Sequence, residues 1–286
     1  MHVGHIQQPP PHESERKHDY LRDFDLQGRV FAVTGGARGL GLTMAEALAE
    51  AGGQVHCLDR LAEPDQEFIE AQERAPREFG GSLHYRQVDV RDVHDVDENM
   101  REIASAKNRL DGLIAAAGVN RVERALAYTP ADVEEMMGIN YNGVFHTATC
   151  AARQMMEKQC KGSILLVASI SGFIANKGMT SAIYNSSKAS VIQLTRSLAM
   201  EWGKPDGREG GGIRVNCLCP GHIMTPMVKK IFEESPDTKA VWEEENMLGR
   251  LSRPEEYRGA ALFLLSDASS YMTGSPLVMD GGHTAW

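Results

Sequence analysis

The sequence predicts an α/β protein: a doubly wound, mainly parallel sheet flanked by helices. Three observations carry this. Short apolar runs alternate with longer stretches of helical spacing along most of the chain, the pattern of repeated strand–helix units rather than of hairpins. The first apolar run feeds a glycine-rich turn, TGGARGLG at 34–41, that opens a helical segment. The second ends on a carboxylate, Asp59. A length of 286 residues permits one or two domains. The strand–helix alternation favours one large domain with ample core.

Residues 1–25 are polar and rich in Pro and His, so a flexible tail is expected before a domain spanning 26–286. Residues 30–33 read as a buried strand. Leu42, Ala45, Leu48 and Ala49 mark a helix face that stops at Gly52 and Gly53. Residues 54–58 form the second strand, closed by Asp59 eighteen residues after Gly41. In such a unit the glycines let the backbone approach a pyrophosphate, and the helix N-terminus faces its negative charge. That is the physics of a Rossmann-like dinucleotide fold, although the spacing is not GxGxxG.

Residues 61–82 read as a charged helix broken near Pro76 and at Gly80 and Gly81, and 83–88 as a third strand closed by Asp89 and Val90. A helix follows over 93–106, then a fourth strand over 110–118 that ends Ala-Ala-Ala-Gly. Pro130 opens a helical stretch to Met156 that carries Asn140. The fifth strand, 162–168, delivers Ser169 at its carboxyl end, where ligands sit in open α/β sheets. Helical spacing resumes at Val191, Ile192, Leu194, Thr195 and Leu198, with no Pro or Gly until Gly203. The sixth strand covers 212–218 and leads into CPGHIMT at 219–225. Apolar spacing at Met227, Val228 and Ile231 suggests a helical lid over a substrate, around 224–251. A helix at 260–265 and a strand at 274–279 close the domain.

Tyr184 and Lys188 are four apart and share one face of a helix. A cation about 5 Å from a phenol, at an effective dielectric of about 20, favours phenolate by roughly 3 kcal/mol. The expectation is a Tyr184 pKa lowered by about 2 units, into the working range of a general acid/base. A lone YxxxK is usually two residues on an amphipathic helix. Here it stands in the order TGxxxGxG, Asn140, Ser169, YxxxK, and this joint pattern resembles the short-chain dehydrogenase/reductase family over roughly residues 26–282.

The resemblance implies reversible hydride transfer between a nicotinamide cofactor and an alcohol/carbonyl pair. Tyr184 would exchange the proton, Lys188 would lower its pKa and hold the nicotinamide ribose, Ser169 would bond the substrate oxygen, and Asn140 would support a water relay. Ser169 rather than Ser171 takes the serine role because it directly follows the apolar run. Cofactor contacts are expected from Gly35, Arg38, Gly39, Leu40 and Gly41 in the turn, and from Asp59 and Arg60 at the ribose. Asp89 and Val90 would meet the adenine, with Ala117 and Gly118 after the fourth strand and Pro220, Gly221, Ile223 and Thr225 near the nicotinamide. Asp59 favours NAD(H), while Arg38 and Arg60 leave NADP(H) open. The family usually carries Asn where this chain has Ala115 or Ala116, which removes an amide that ties strands together.

For the substrate, Asn120, Ser171, Asn176 and His222, with Arg121, Phe173, Lys177 and Met179, form the expected pocket wall. Hydrogen-bonding groups there suit a polyol or ketose, and the chain is most similar to the family's sugar-alcohol and ketose dehydrogenases. Met179, Met224, Met227 and Trp242 suit an aromatic or polyketide-like ketone instead. A non-catalytic nucleotide-binding scaffold is a further alternative, disfavoured by the complete Ser–Tyr–Lys set. In similar enzymes two central helices pair between subunits. Small residues at Ala148, Ala151, Ala152, Ala189 and Ala199 lead to an expected homotetramer, with a dimer as second choice.

Net charge is −9, which gives no basic footprint for nucleic acid. No apolar run approaches the roughly 20 residues of a membrane span, and residues 1–12 lack the basic start and apolar centre of a secretion signal, so none is expected. Five cysteines in this context are expected reduced and the protein cytoplasmic. No metal is expected. The ten histidines are scattered, and Cys217 and Cys219 are expected to face opposite sides of their strand.

Overall fold

The structure is a computed structural model that describes residues 21–78, 80–204, 212–225, 228, 232–233 and 236–286. The apolar runs become strands β1 (Val30–Thr34), β2 (Gln54–Asp59), β3 (Ser82–Gln87), β4 (Gly112–Ala115), β5 (Ser163–Val167), β6 (Arg214–Pro220) and β7 (Pro276–Met279). Among the described residues they form one sheet in the order β3-β2-β1-β4-β5-β6-β7. Each neighbouring pair is parallel. Strand order reverses between β1 and β4, so the crevice at their carboxyl ends is the expected ligand site.

Side-chain alternation along each strand divides the core into two layers. Val30 and Ala32 face one layer with Leu113, Ala115, Ile164 and Val215, whereas Phe31 and Val33 face the other with Val55, Ile114, Leu165 and Leu218. The first layer is covered by α3 (Val93–Ala106), α5 (Val144–Glu157) and α6 (Ala182–Trp202), and the second by α1 (Gly39–Glu50), α2 (Gln66–Glu78) and α8 (Arg258–Leu265). Two further helices are α4 (Pro130–Met137) and α7 (Pro236–Glu244). Local chemistry sets the helix starts. Asp92 accepts from the His94 and Asp95 amides ahead of α3, and Thr129 and Asp132 form a capping box with Pro130 in the first turn of α4.

Several expectations need correction. The charged helix α2 runs through Pro76 to Glu78. Only two residues follow the proline, so its missing amide costs the last turn alone. Strand β4 is shorter than expected because the Ala116 amide turns to the Thr34 carbonyl (3.2 Å) and the Ala117 amide to the Thr34 hydroxyl (3.4 Å). Residues two apart in a strand share a face, so Cys217 and Cys219 lie together in the first layer, their sulfurs 4.0 Å apart. All five cysteines are free, and the described residues hold no group of three metal-ligating side chains. The small residues expected at a subunit interface also divide differently. Ala148, Ala151, Ala152 and Ala199 are buried in their own core, and only Ala189 is exposed.

Residues 1–20 of the expected tail lie outside the described residues, and 22–24 form a short 3-10 turn. The domain then starts on Leu26, which is fully buried and bonded to the Ala51 carbonyl at 2.9 Å. Within the expected lid, residues 226–227, 229–231 and 234–235 lie outside the described residues, including Met227 and Ile231. No helix of the described residues is long and apolar enough to cross a membrane.

Candidate active site

The carboxyl ends of the strands, the segment before α5 and the start of α6 deliver the candidate residues. Ser169 follows β5 in extended backbone, and its Oγ accepts from the Ser171 amide at 3.1 Å. Helix α6 is held by the buried face Val191, Leu194, Thr195 and Leu198. Its first two turns therefore carry Tyr184 and Lys188 back toward the end of β5. The Lys188 ammonium is buried and donates to the Val167 carbonyl at 2.9 Å. It lies 5.6 Å from the centre of the Tyr184 ring.

The electrostatics correct one expectation. Burial pushes the Tyr184 phenol up rather than down, and a hydrogen bond with Ser169 opposes that rise only in part. Burial lowers Lys188 to about 8, with Cys219 opposing. Desolvation outweighs the attraction that spacing alone suggested, because the same shell that brings cation and phenol together removes water from both. A phenol, a hydroxyl and a buried ammonium on one wall still form a set able to pass a proton to and from a substrate oxygen.

Asn140 lies in a π-helical segment, Gly138–Gly143, inserted between α4 and α5. One extra residue in that turn rotates the side chain inward, a feature common at functional sites. Fully buried, Asn140 accepts from the Val119 amide at 2.9 Å and donates to the Val119 carbonyl at 2.9 Å and the Ser187 hydroxyl at 3.1 Å. Ser187 in turn donates to the Tyr184 carbonyl at 2.7 Å. Gly118 separates Asn140 from Lys188: a Cβ there would lie 3.4 Å from Asn140 Oδ1 and 3.5 Å from Lys188 Nζ.

The β1–α1 turn fits a dinucleotide. A Cβ at Gly41 would lie 2.0 Å from the Gly35 carbonyl oxygen, and Gly35, at φ +65°, packs on the Ala117 backbone. Gly39, at φ +56°, has nothing within 4 Å of where a Cβ would stand, and the first turn of α1 has no side-chain cap. The Gly39 amide meets the Glu67 carboxylate, and the amides that follow it at this uncapped helix start are what a pyrophosphate needs. Leu40 lies in that turn, half-buried. Asp59 reaches across it, with Oδ2 3.4 Å from the Ala37 amide. Arg38 and Arg60 are exposed on either side. Asp89 is clamped by Arg91, which holds its carboxyl below the usual range. Val90 packs against Gly143, which links the expected adenine contact to the Asn140 segment. Past β6, the Gly221 amide bonds the Met279 carbonyl at 2.9 Å, and the Ile223 carbonyl accepts from Thr225 at 2.9 Å.

Among the expected substrate residues, Asn176 donates to Ser171 Oγ at 2.6 Å. A hydrogen-bonded line thus runs from Asn176 through Ser171 to Ser169. Asn120 is exposed on the loop after β4, and Arg121 pairs with Asp132. His222 stacks on Trp242, centroids 4.5 Å apart, and packs against the edge of His283. Its ring is thereby held between the Trp242 and His283 rings. Asn176 and Lys177 line a cavity of about 410 Å³ together with Glu245, His283 and Trp286.

Comparison with known proteins agrees with this geometry. A family model described as enoyl-(acyl carrier protein) reductase matches residues 35–284. The short chain dehydrogenase/reductase notP' of Aspergillus versicolor is 36% identical, covering 100% of this chain and 97% of its own. The chain belongs to the short-chain dehydrogenase/reductase family. Galactitol 2-dehydrogenase (L-tagatose-forming) of Cereibacter sphaeroides is 36% identical over 94% of this chain and 100% of its own. A gluconate 5-dehydrogenase structure from Burkholderia cenocepacia, in complex with NADP and tartrate, superposes with a TM-score of 0.81. It is 31% identical and covers 93% of this chain and 99% of its own. As a member of this family the chain is an oxidoreductase of CH–OH groups that uses a nicotinamide cofactor.

Sequence reasoning missed Ser187, the Val119 and Val167 backbone groups, and the wall formed by Glu245, His283 and Trp286. Ser187 had a weak signal, one residue before Lys188. Backbone acceptors have none, because every residue carries them.

Proposed function

We propose that this short-chain dehydrogenase/reductase interconverts a polyol and its ketose with NAD(H). The observation that carries the substrate class is the Asn176–Ser171–Ser169 line, which extends hydrogen-bonding capacity outward from the reacting position. The galactitol relative and D-arabinitol 2-dehydrogenase of Scheffersomyces stipitis, 34% identical, support the same class. In this reading Tyr184 gives a proton to the substrate oxygen in reduction and takes it in oxidation. Ser169 orients that oxygen, and Lys188 holds positive charge beneath the phenol. Asn140, fixed by Val119 and Ser187, keeps the loop after β4 in register with α6. The bound nicotinamide supplies or accepts the hydride.

NAD is favoured because Asp59 is held across the glycine turn, where a carboxylate accepts from ribose hydroxyls and repels a 2′-phosphate. Arg38 and Arg60 are exposed by comparison. The apolar-ketone reading loses one of its supports, since Trp242 spends one face on His222 and an edge contact on Phe232. A reducing, cytoplasmic setting fits the five free thiols. A homotetramer remains the proposed assembly, now on the exposed Phe145 of α5 and Met200 of α6 rather than on the buried alanines.

The test is a turnover panel of hexitols, pentitols and ketoses on one side and aromatic ketones on the other. Polyol and ketose turnover is expected. Activity confined to aromatic ketones would replace the polyol reading.

A further inference from the structure

The cavity of about 410 Å³ lies between residues 174–177 and 283–286. Its inner wall is built from hydrogen bonds. The Glu245 carbonyl accepts the Trp286 indole N–H at 3.0 Å and His283 Nδ1 at 3.1 Å. A carbonyl only accepts, so Nδ1 carries the hydrogen, and in the neutral ring Nε2 is left as an acceptor. Asp280 fixes the same segment by accepting from the Gly282 amide (2.9 Å), the Thr284 amide (2.8 Å) and the Thr284 hydroxyl (2.7 Å). Behind it the His222 ring braces His283, with centroids 5.0 Å apart. The two rings are thereby positioned before any ligand arrives.

The facing wall has a complementary character. Ile174 is apolar, Lys177 brings an ammonium, and Asn176 is 7% exposed with an Oδ1 that has no hydrogen-bond partner. Asn176 holds φ +42°, an uncommon conformation for a residue with a side chain. A buried acceptor without a partner is unfavourable until a donor satisfies it. Apolar surface with a few fixed polar groups is the usual make-up of a small-molecule site. The combination of indole face, imidazole acceptor, amide and ammonium matches a hydroxylated carbon chain, which presents C–H groups to the ring and hydroxyls to the rest.

We propose that residues 283–286, with Lys177, form a distal subsite that grips the hydroxylated end of the substrate remote from the reacting carbon and so sets chain-length selectivity. This rests on the polyol reading above. The Asn176–Ser171–Ser169 line supplies the connection, since Asn176 is two hydrogen bonds from the serine at the reacting position. A four-carbon polyol would leave the subsite unfilled, and a hexitol would reach it.

The experiment measures kcat/KM for a hexitol and a tetritol with cofactor-saturated enzyme, in wild type, Trp286→Ala, Trp286→Phe and Lys177→Met. The hexitol/tetritol ratio is expected to fall at least tenfold in Trp286→Ala and severalfold in Lys177→Met, chiefly through the hexitol KM. Trp286→Phe, which keeps an aromatic face, is expected to retain most of the ratio. Trp286 is 79% exposed, and melting temperatures within about 2 °C of wild type would exclude misfolding as the cause. A ratio unchanged within twofold in both Trp286→Ala and Lys177→Met overturns the subsite. If wild type turns over ketones but no polyol, the polyol reading has failed separately, and the hydroxylated occupant with it. The same ratio is then read on two ketones of unequal chain length, where an unchanged value removes the wall from substrate selection as well.

Discussion

Asn140 and Ser187, 47 residues apart in sequence, meet at 3.1 Å in a buried hydrogen bond. That bond joins the π-helical segment to the turn of α6 that carries Tyr184 and Lys188. Ser187→Ala would leave one Asn140 donor unpaired in the core, a cost of about 1–3 kcal/mol. The expected outcome is a melting temperature lower by several degrees and a fall in kcat without a matching rise in cofactor KM. An unchanged kcat would show that Val119 alone positions Asn140.

Tyr184→Phe removes the proton donor and leaves the ring. Turnover should fall by roughly 10²–10⁴-fold, the usual range for a positioned acid/base, with cofactor affinity retained in a titration. Lys188→Met should reduce turnover and also weaken cofactor binding, because the proposal gives that ammonium two tasks. A Tyr184→Phe enzyme near the wild-type rate would remove the proposed mechanism.

Asp59→Ser should raise the NADP/NAD ratio of kcat/KM at least tenfold, about 1.4 kcal/mol. Both cofactors are measured on wild type and variant. A wild type that already prefers NADP, with a ratio indifferent to the substitution, would show that Arg38 and Arg60 decide the matter.

His56 and His222 make stability depend on pH. Burial pulls both to about 4; His84 and Arg86 add to this at His56, and His283 adds at His222 while Asp280 opposes. A depressed base binds fewer protons folded than unfolded. Its contribution is therefore complete above the unfolded value of about 6.5 and is lost as pH falls from there toward 4. The loss reaches up to about 3 kcal/mol per histidine at pH 4. Melting temperature should be flat near pH 7–8 and decline between pH 6.5 and 5, before the carboxylates titrate. A flat profile across that window contradicts the neutral buried state.

Phe145 and Met200 are the exposed large apolar side chains on α5 and α6, and charge there should oppose association. Wild type is expected to show a tetramer mass by light scattering at micromolar concentration, and Phe145→Glu with Met200→Glu a smaller species. A monomeric wild type would contradict the assembly.

The order and type of the elements were legible from the chain because they rest on local patterns. Alternating apolar runs made the seven strands, and turn residues such as Gly35 and Gly41 marked where the backbone had to pass close. The four residues of the candidate site could be named for the same reason, since a motif in fixed order is a one-dimensional signal. Where local pattern misled, either a residue's place within its element or the packing of the whole chain decided. Pro76 lies too near the end of α2 to break it, and Ala148, Ala151 and Ala152 turn toward their own core.

The sequence by itself determined the glycine turn, the strand-end carboxylate Asp59 and the spacing of Tyr184 and Lys188, because each is a property of neighbours along the chain. Only the tertiary structure decided the protonation energetics of that pair, since burial depends on every element packed around it. It alone also brought Ser187 to Asn140, and set Trp286, His283 and Lys177 around one cavity. Those arrangements join segments from 47 to more than a hundred residues apart. No spacing rule reaches that far, because what sets them is how helices and loops close over one sheet.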